Sequence, residues 1–369
     1  MLITNAVVFT GESFRKGLQI RVEEEKIREV GEFLHPHEGE EIADYGGDYL
    51  LPGFVDVHIH AFRKHDTMEG EAAVRAMSRE LADLGVAAFC PTTMSASPED
   101  TRNALRGIRA VMERPEPHGA LVLGAHMEAP FLQEARAGAQ RKEFFRDPSW
   151  EDFLEMTDHH PEIVRLITLA PERNGAEAFI RKASAEGIHV SVGHTSATGL
   201  QVHAAGDWGA DHVTHTFNAQ TPLHHREPGV PGAALTDDRF YCEMICDGVH
   251  LHGDIVRLLA RCKGRERAVA ITDAMEAAGM PDGEYALGGQ KVYVKNGEAR
   301  LADGTLAGSV LTMRQALWNL IHRFGIEPAD ACAMCTSTPA ASIGIHTAGR
   351  MAPGAPAIFN RYAPEELRV

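Results

Sequence analysis

From residue 54 onward the chain alternates two patterns. Short apolar runs lie at 54–59, 86–91, 121–127, 163–170, 188–192, 212–216, 240–246 and 268–272. Between most of them are longer stretches in which Leu, Ala, Val and Ile recur at intervals of three and four. A short continuous apolar run suits a strand covered on both faces, and the three-and-four spacing suits a helix with one buried face. Helices are expected at 72–84, 100–112, 174–186 and 252–261. Asn174 offers an N-cap and Gly187 a C-terminal stop for the third. Eight strand–helix units predict an α/β fold, a (β/α)8 TIM barrel with parallel strands. A doubly wound open sheet is the alternative arrangement of the same units.

The flanks read differently. Residues 1–50 hold short strand-like runs at 3–9, 18–22 and 26–30, broken by Gly and charged residues. Past the eighth run, 279–307 is rich in Gly and Asp with a strand-like 291–294, and is expected to be a β-hairpin insertion over the barrel mouth. A closing helix is expected at 312–323, and a Pro- and Ala-containing tail starts at 349. The expected domains are a small β-sandwich-like domain from 1–50 and 346–369, and the barrel at 51–345. A length of 369 residues accommodates both.

Composition narrows the partners. A net charge of −16 argues against broad binding to nucleic acid or to anionic membranes. No apolar stretch approaches the ~20 residues of a membrane span. The N-terminus lacks a basic segment followed by a long apolar run, so no signal peptide is expected. Six scattered cysteines fit reduced thiols and a cytoplasmic location better than a disulfide framework. Cys332 and Cys335 form a lone C-x-x-C without a second pair, which favours helix packing over structural zinc.

The 20 histidines draw attention to the ends of the predicted strands. The first strand ends in His58 and His60, two residues apart and so directed to one side. The third leads into Glu128, the fifth into His194, the sixth carries His215 and the eighth ends in Asp273. A lone strand histidine is usually a packing residue. Here five strand ends carry such groups, and a barrel brings those ends to one rim. Imidazoles with carboxylates suit one or two divalent transition metals, zinc or iron first, manganese or cobalt next, rather than calcium or magnesium. Such a metal acidifies water and polarises a carbonyl, and Asp273 is placed to take and return a proton. That combination hydrolyses an amide or a related C–N bond.

Several longer motifs carry a resemblance. Gly53-Phe-Val-Asp-Val-His-Ile-His60 looks like an amidohydrolase signature. His126-Met-Glu-Ala-Pro-Phe131, Gly193-His-Thr195 and His215-Thr-Phe-Asn-Ala-Gln-Thr-Pro-Leu-His-His-Arg-Glu-Pro228 are narrower. So are Asp247-Gly-Val-His250, Thr272-Asp-Ala274 and Asp303-Gly-Thr-Leu-Ala-Gly-Ser309. From about residue 1 to about 353 the chain resembles the N-acetylglucosamine-6-phosphate deacetylases. The resemblance implies metal-dependent removal of acetate from the phosphosugar, by a homodimer. It implies Glu128, His194 and His215 as core metal ligands, His58 and His60 as holders of a second metal, and Asp273 as acid/base. It implies substrate contacts at Ala139, Gln140, Asn218, Ala219, His250, Leu306, Ala307 and Gly308. Arg226 matches a phosphate-binding arginine that enters from the neighbouring subunit.

The chain departs from the family pattern in four places. Ala129 stands for Gly, Gln140 stands for a frequent His, Phe62-Arg63-Lys64 replaces a Gly-rich segment, and the tail from Ala355 does not match. The last departure predicts a reduced small domain. The galacto epimer or another N-acyl amino sugar remains an alternative substrate. A cyclic amidase is disfavoured because 163–170 has no lysine to bridge two metals, and a mere sugar-phosphate binder is disfavoured because every ligand and the base are present.

Overall fold

The computed structural model describes residues 1–367; Arg368 and Val369, the end of the expected small domain, lie outside the described residues. The eight predicted runs form a nearly closed parallel barrel. Its strands are Phe54–Ile59, Val86–Thr93, Leu121–Val122 with Ala125–Met127, Val164–Leu169, His189–Val192, His212–Val213, Tyr241–Ile245 and Ala268–Ile271. Each pairs in parallel with the next, from Phe54 opposite Val86 round to Cys242 opposite Ala268. This is the predicted barrel rather than the open sheet. The strands are buried almost throughout, as apolar runs covered on both faces must be.

Closure between the eighth strand and the first is thin. One parallel bridge joins Ile59 to Ala274, and the Asp273 amide donates to the His58 carbonyl at 2.9 Å. Asp56 reinforces the seam, accepting from the Thr272 hydroxyl at 2.5 Å. The seam therefore runs straight through the strand ends that carry His58, His60 and Asp273.

Two small sheets make a sandwich beside the barrel. One runs Lys26–Gly31, Gln19–Glu23, Leu2–Thr4, Ile42–Asp44; the other Phe359–Tyr362, Tyr49–Pro52, Val7–Phe9, Phe14–Lys16. Ile3, Val8, Ile20, Ile27 and Leu50 fill the space between them. The single strand expected at 3–9 is thus two strands in different sheets, because Asn5 adopts φ 54° and turns the chain between them. The non-matching tail still supplies a strand, Phe359–Tyr362, antiparallel to Tyr49–Pro52.

The other differences are local. The third helix starts at Ala176, with Gly175 at φ 83° as N-cap; Asn174 caps nothing and donates to Asp147 instead. The insertion holds three antiparallel strands, Gly283–Leu287, Gln290–Lys295 and Glu298–Arg300, not one hairpin. Its apolar face, Val292, Val294 and Ala299, packs on Met94 and Met275 above the barrel. Cys332 and Cys335 are buried in the helix Pro328–Cys335, packed in the core as expected. No helix among the described residues is long and apolar enough to cross a membrane.

Candidate metal centre

The barrel brings two triads together at its C-terminal rim. His58 and His60 alternate along the first strand and face each other through Nε2 atoms 3.3 Å apart. Asp273 Oδ1 stands 3.2 Å from His60 Nε2 and 3.5 Å from His58 Nε2. In the second triad Glu128 Oε1 lies 3.0 Å from His215 Nε2 and 3.3 Å from His194 Nε2. Glu128 also joins the triads, since Oε1 lies 3.4 Å from His58 Nε2 and Oε2 3.2 Å from His60 Nε2. All six residues are buried, the most exposed being Asp273 at 7%.

Hydrogen bonds behind the rings decide which nitrogen faces the centre. His60 Nδ1 donates to the Thr92 carbonyl at 3.3 Å and His194 Nδ1 to the Arg136 carbonyl at 2.8 Å. His58 Nδ1 is held by Glu243 Oε2 at 3.0 Å. Each of these bonds leaves Nε2 as a lone pair pointing inward. Nitrogens bound at about 2.0–2.1 Å to one tetrahedral ion stand roughly 3.3–3.4 Å apart. The observed separations of 3.3 Å in the His58–His60 pair and 3.2 Å in the His194–His215 pair match that spacing. The donor set is mixed nitrogen and oxygen, so it fits a divalent transition metal at each triad.

The electrostatics agree. Burial opposes charge on both rings, but Glu128, Asp273 and, for His58, Glu243 outweigh it and push His58 up to about 9 and His60 up to about 10. Burial likewise opposes ionisation of Asp273, yet His58 and His60 hold its carboxyl below the usual range. The place between these groups draws positive charge.

Backbone geometry explains the local sequence. His194 (φ 47°), His215 (φ 28°) and Asp273 (φ 49°) sit just past strand ends in the left-handed region. Such residues store of order 1–3 kcal/mol each and persist where surrounding structure over-determines them. Gly193, before His194, is packed so tightly that a Cβ would lie 2.7 Å from Thr168 Cγ2 and Thr214 Cβ.

A cavity of about 310 Å³ opens above the centre. His60, Glu128, His194, His215 and Asp273 line it, with Ala139, Gln140, Asn218, Ala219, His250, Leu306 and Gly308 around the wall. Gln140 is held from two sides: its Oε1 accepts from the Ser95 amide at 2.7 Å and its Nε2 donates to Glu128 Oε2 at 2.5 Å. His250 Nδ1 bonds Asp247 Oδ2 at 2.7 Å. The insertion contributes Leu287, and its Gln290 donates to the Ala139 carbonyl at 2.5 Å. Two candidates stand apart. Ala307 is fully buried and packs into the insertion's own apolar core. Arg226 is exposed, with Nη1 2.7 Å from His225 Nε2, and does not line the cavity of its own chain. Arg63 and Lys64 form the tight turn of a small hairpin and likewise lie outside the cavity wall.

Three residues carry no assigned role in the sequence, although His126 lies in one of its motifs. Glu243 is the single charged group in the seventh strand, a signal that was available. His126 sits beneath the centre with its ring 4.4 Å from that of His58 and Nε2 2.8 Å from Thr168 Oγ1. Burial and the nearby His58 push its pKa well down. Arg136 lines the cavity and, among the described residues, its guanidinium has no hydrogen-bond or ion-pair partner; nothing local in the sequence distinguishes it from a surface arginine.

Comparisons with known proteins converge on one family. The profile of the Amidohydrolase family matches residues 49–362. An N-acetylgalactosamine-6-phosphate deacetylase of Escherichia coli O157:H7 is 38% identical over 85% of this chain and 83% of its own length. An N-acetylglucosamine-6-phosphate deacetylase of Bacillus subtilis is 35% identical over 94% and 88%. In structure, a mutant Mycobacterium smegmatis N-acetyl-D-glucosamine-6-phosphate deacetylase in complex with N-acetyl-D-glucosamine-6-phosphate superposes with a TM-score of 0.89, at 32% identity, covering 100% of this chain and 96% of that one. With its barrel, its rim of histidines and carboxylates and these relatives, the chain belongs to the amidohydrolase family and groups within it with the amino-sugar-6-phosphate deacetylases.

Proposed function

We propose that this protein hydrolyses the acetamide of N-acetyl-D-glucosamine 6-phosphate, giving D-glucosamine 6-phosphate and acetate. The observation that carries the reading is the shared cavity: His60 and Asp273 of one triad and Glu128, His194 and His215 of the other form its floor, and Gln140, Asn218 and His250 stand on its wall. The galacto epimer is the second reading, favoured by the name of the Escherichia coli relative.

Glu128, His194 and His215 hold the first metal; His58, His60 and Asp273 hold a second. Zinc or iron suits these donors best, with manganese or cobalt next. When bound, the metal supplies a Lewis acid for the acetyl carbonyl and lowers the pKa of water. The rest is the work of the chain. Asp273, unencumbered by any lysine or arginine partner among the described residues, takes the proton of the attacking water and delivers it to the departing amine as the C–N bond breaks. Gln140 presents its amide beside Glu128, where a His is common in the family, and orients the acetyl group with the Ala139 and Ala219 backbone close by. Asn218 and His250 contact the sugar phosphate, and Leu306 and Gly308 cover the ring, with Ala307 fixing that segment from the core. Arg226, exposed on its own subunit, reaches the phosphate of a neighbouring active site, so the working unit is a homodimer. A planar guanidinium pairs bidentately with phosphate. Six free cysteines fit a reducing, cytoplasmic setting.

The test is acetate release from N-acetylglucosamine 6-phosphate, N-acetylgalactosamine 6-phosphate and unphosphorylated N-acetylglucosamine. The protein is stripped of metal and reloaded with Zn²⁺, Fe²⁺, Mn²⁺ or Co²⁺ in turn. Metal-dependent turnover that prefers the first substrate is expected. Absence of release with every metal, from folded protein, would refute the reading.

A further inference from the structure

Glu243, in the seventh strand Tyr241–Ile245, is fully buried and has no lysine or arginine partner among the described residues. Its Oε2 accepts two hydrogen bonds, from His58 Nδ1 at 3.0 Å and from the His215 backbone amide at 3.1 Å. The two donors belong to different triads. Its other oxygen, Oε1, has no partner. A buried carboxylate with so few donors is costly to keep. A carboxylate behind a ligating imidazole, however, fixes the ring tautomer and strengthens the opposite nitrogen as a donor.

The surroundings of His58 sharpen the case. The His126 ring packs perpendicular to it, centroids 4.4 Å apart, and Glu243 holds Nδ1. Nε2 then faces the centre, 3.3 Å from His60 Nε2, 3.5 Å from Asp273 Oδ1 and 3.4 Å from the linking Glu128 Oε1. In the other triad, His194 has a neutral carbonyl behind it rather than a carboxylate. The two triads are therefore supported unequally.

We infer that Glu243 is the positioning residue for the His58–His60–Asp273 metal site, orienting His58 by its charge-assisted bond while the same oxygen pins the His215 backbone in register with it. This rests on the metal-centre reading of the proposed function and not on the identity of the substrate. Glu243→Gln can keep an oxygen at the Oε2 position for both donors; it removes the charge and places an amide NH2 where Oε1 has no partner. The stripped protein is titrated with Co²⁺, followed by absorption, metal analysis and competition with a chelator. Wild type is expected to bind two equivalents. In E243Q the first equivalent binds as before, and the second binds about tenfold to a hundredfold more weakly. On a His60→Ala background, which already lacks the second site, E243Q has no further effect on the remaining metal. Equal weakening of both equivalents, unchanged binding of both, or a single equivalent in the wild type would overturn the inference. Should E243Q not fold, Glu243→Asp draws the carboxylate back from Nδ1 and from the His215 amide, and the second equivalent is expected to weaken more than the first. Selective metal loss without acetate release from the wild type would sink the substrate reading and leave this one standing.

Discussion

Replacing Gly193 with alanine places a methyl group between two barrel strands directly before a metal-binding histidine. The added carbon would lie 2.7 Å from both Thr168 Cγ2 and Thr214 Cβ, and 2.9 Å from Thr214 Oγ1. Each carbon contact is about 0.7 Å short of an ordinary 3.4 Å approach. Neither threonine is free to retreat. Thr168 Oγ1 bonds His126 Nε2 at 2.8 Å and Thr214 Oγ1 at 2.7 Å, and Ser191 bonds Thr214 at 2.5 Å. The strain must therefore move the backbone at 193–194. Overpacking of this kind costs about 1–3 kcal/mol. At this chain length that lowers Tm by only about 1–4 °C. The effect on chemistry is larger, because His194 Nε2 shifts against His215 and Glu128, and displacements approaching 1 Å cost roughly a hundredfold. Calorimetry and acetate release on metal-reloaded protein are the assays. The expected result is a small loss of Tm with kcat/KM down about tenfold or more. Unchanged Tm together with unchanged kcat/KM would refute the claim that the glycine is required by this close approach.

The proposed phosphate contact of Arg226, and a matching role for Arg136 on the cavity wall, can be tested by substitution. Arg136→Ala and Arg226→Ala are each expected to raise KM for the phosphorylated substrate several-fold while leaving the slow reaction of the unphosphorylated sugar unchanged; equal effects on both substrates would count against phosphate contact. Mixed dimers of Asp273→Asn and Arg226→Ala subunits should recover turnover at the wild-type KM, which neither homodimer shows, and no such recovery in confirmed hybrids would argue against a shared site. The sandwich has its own pH signature. The Arg21 guanidinium, nearly buried and bonded to Glu40 at 3.0 Å, lowers the Glu40 carboxyl from 4.5 to about 2. A lowered folded pKa stabilises above the unfolded value and is lost on acidification, so this contribution is whole above pH 4.5 and vanishes through about pH 2. Glu40→Gln should thus lower Tm near pH 6 and converge with wild type near pH 2; a constant gap across that range would refute the ion-pair account.

Much of this was legible in the chain itself. Period and composition set the order of strands and helices, because a turn of helix or a buried strand depends on residues within a few positions of one another. The alternation His58-Ile59-His60 placed two imidazoles on one side without any knowledge of the barrel. The break at Asn5 was missed because an apolar run hides a single left-handed residue. Arg136 was missed because only the fold makes a cavity beside it.

The sequence by itself determined the eight strand–helix units and which polar residues end the strands. Tertiary structure alone decided which of those residues meet, and through which atoms. Glu243 holds the ring of His58 across 185 residues of chain, Gln140 bonds Glu128 across 12, and Arg226 is turned out toward solvent although its motif also contains His215. The reason is physical. Local periodicity fixes which face a side chain takes, whereas the direction of a ring nitrogen or a carboxylate oxygen depends on partners that only closure of the barrel brings within hydrogen-bond reach.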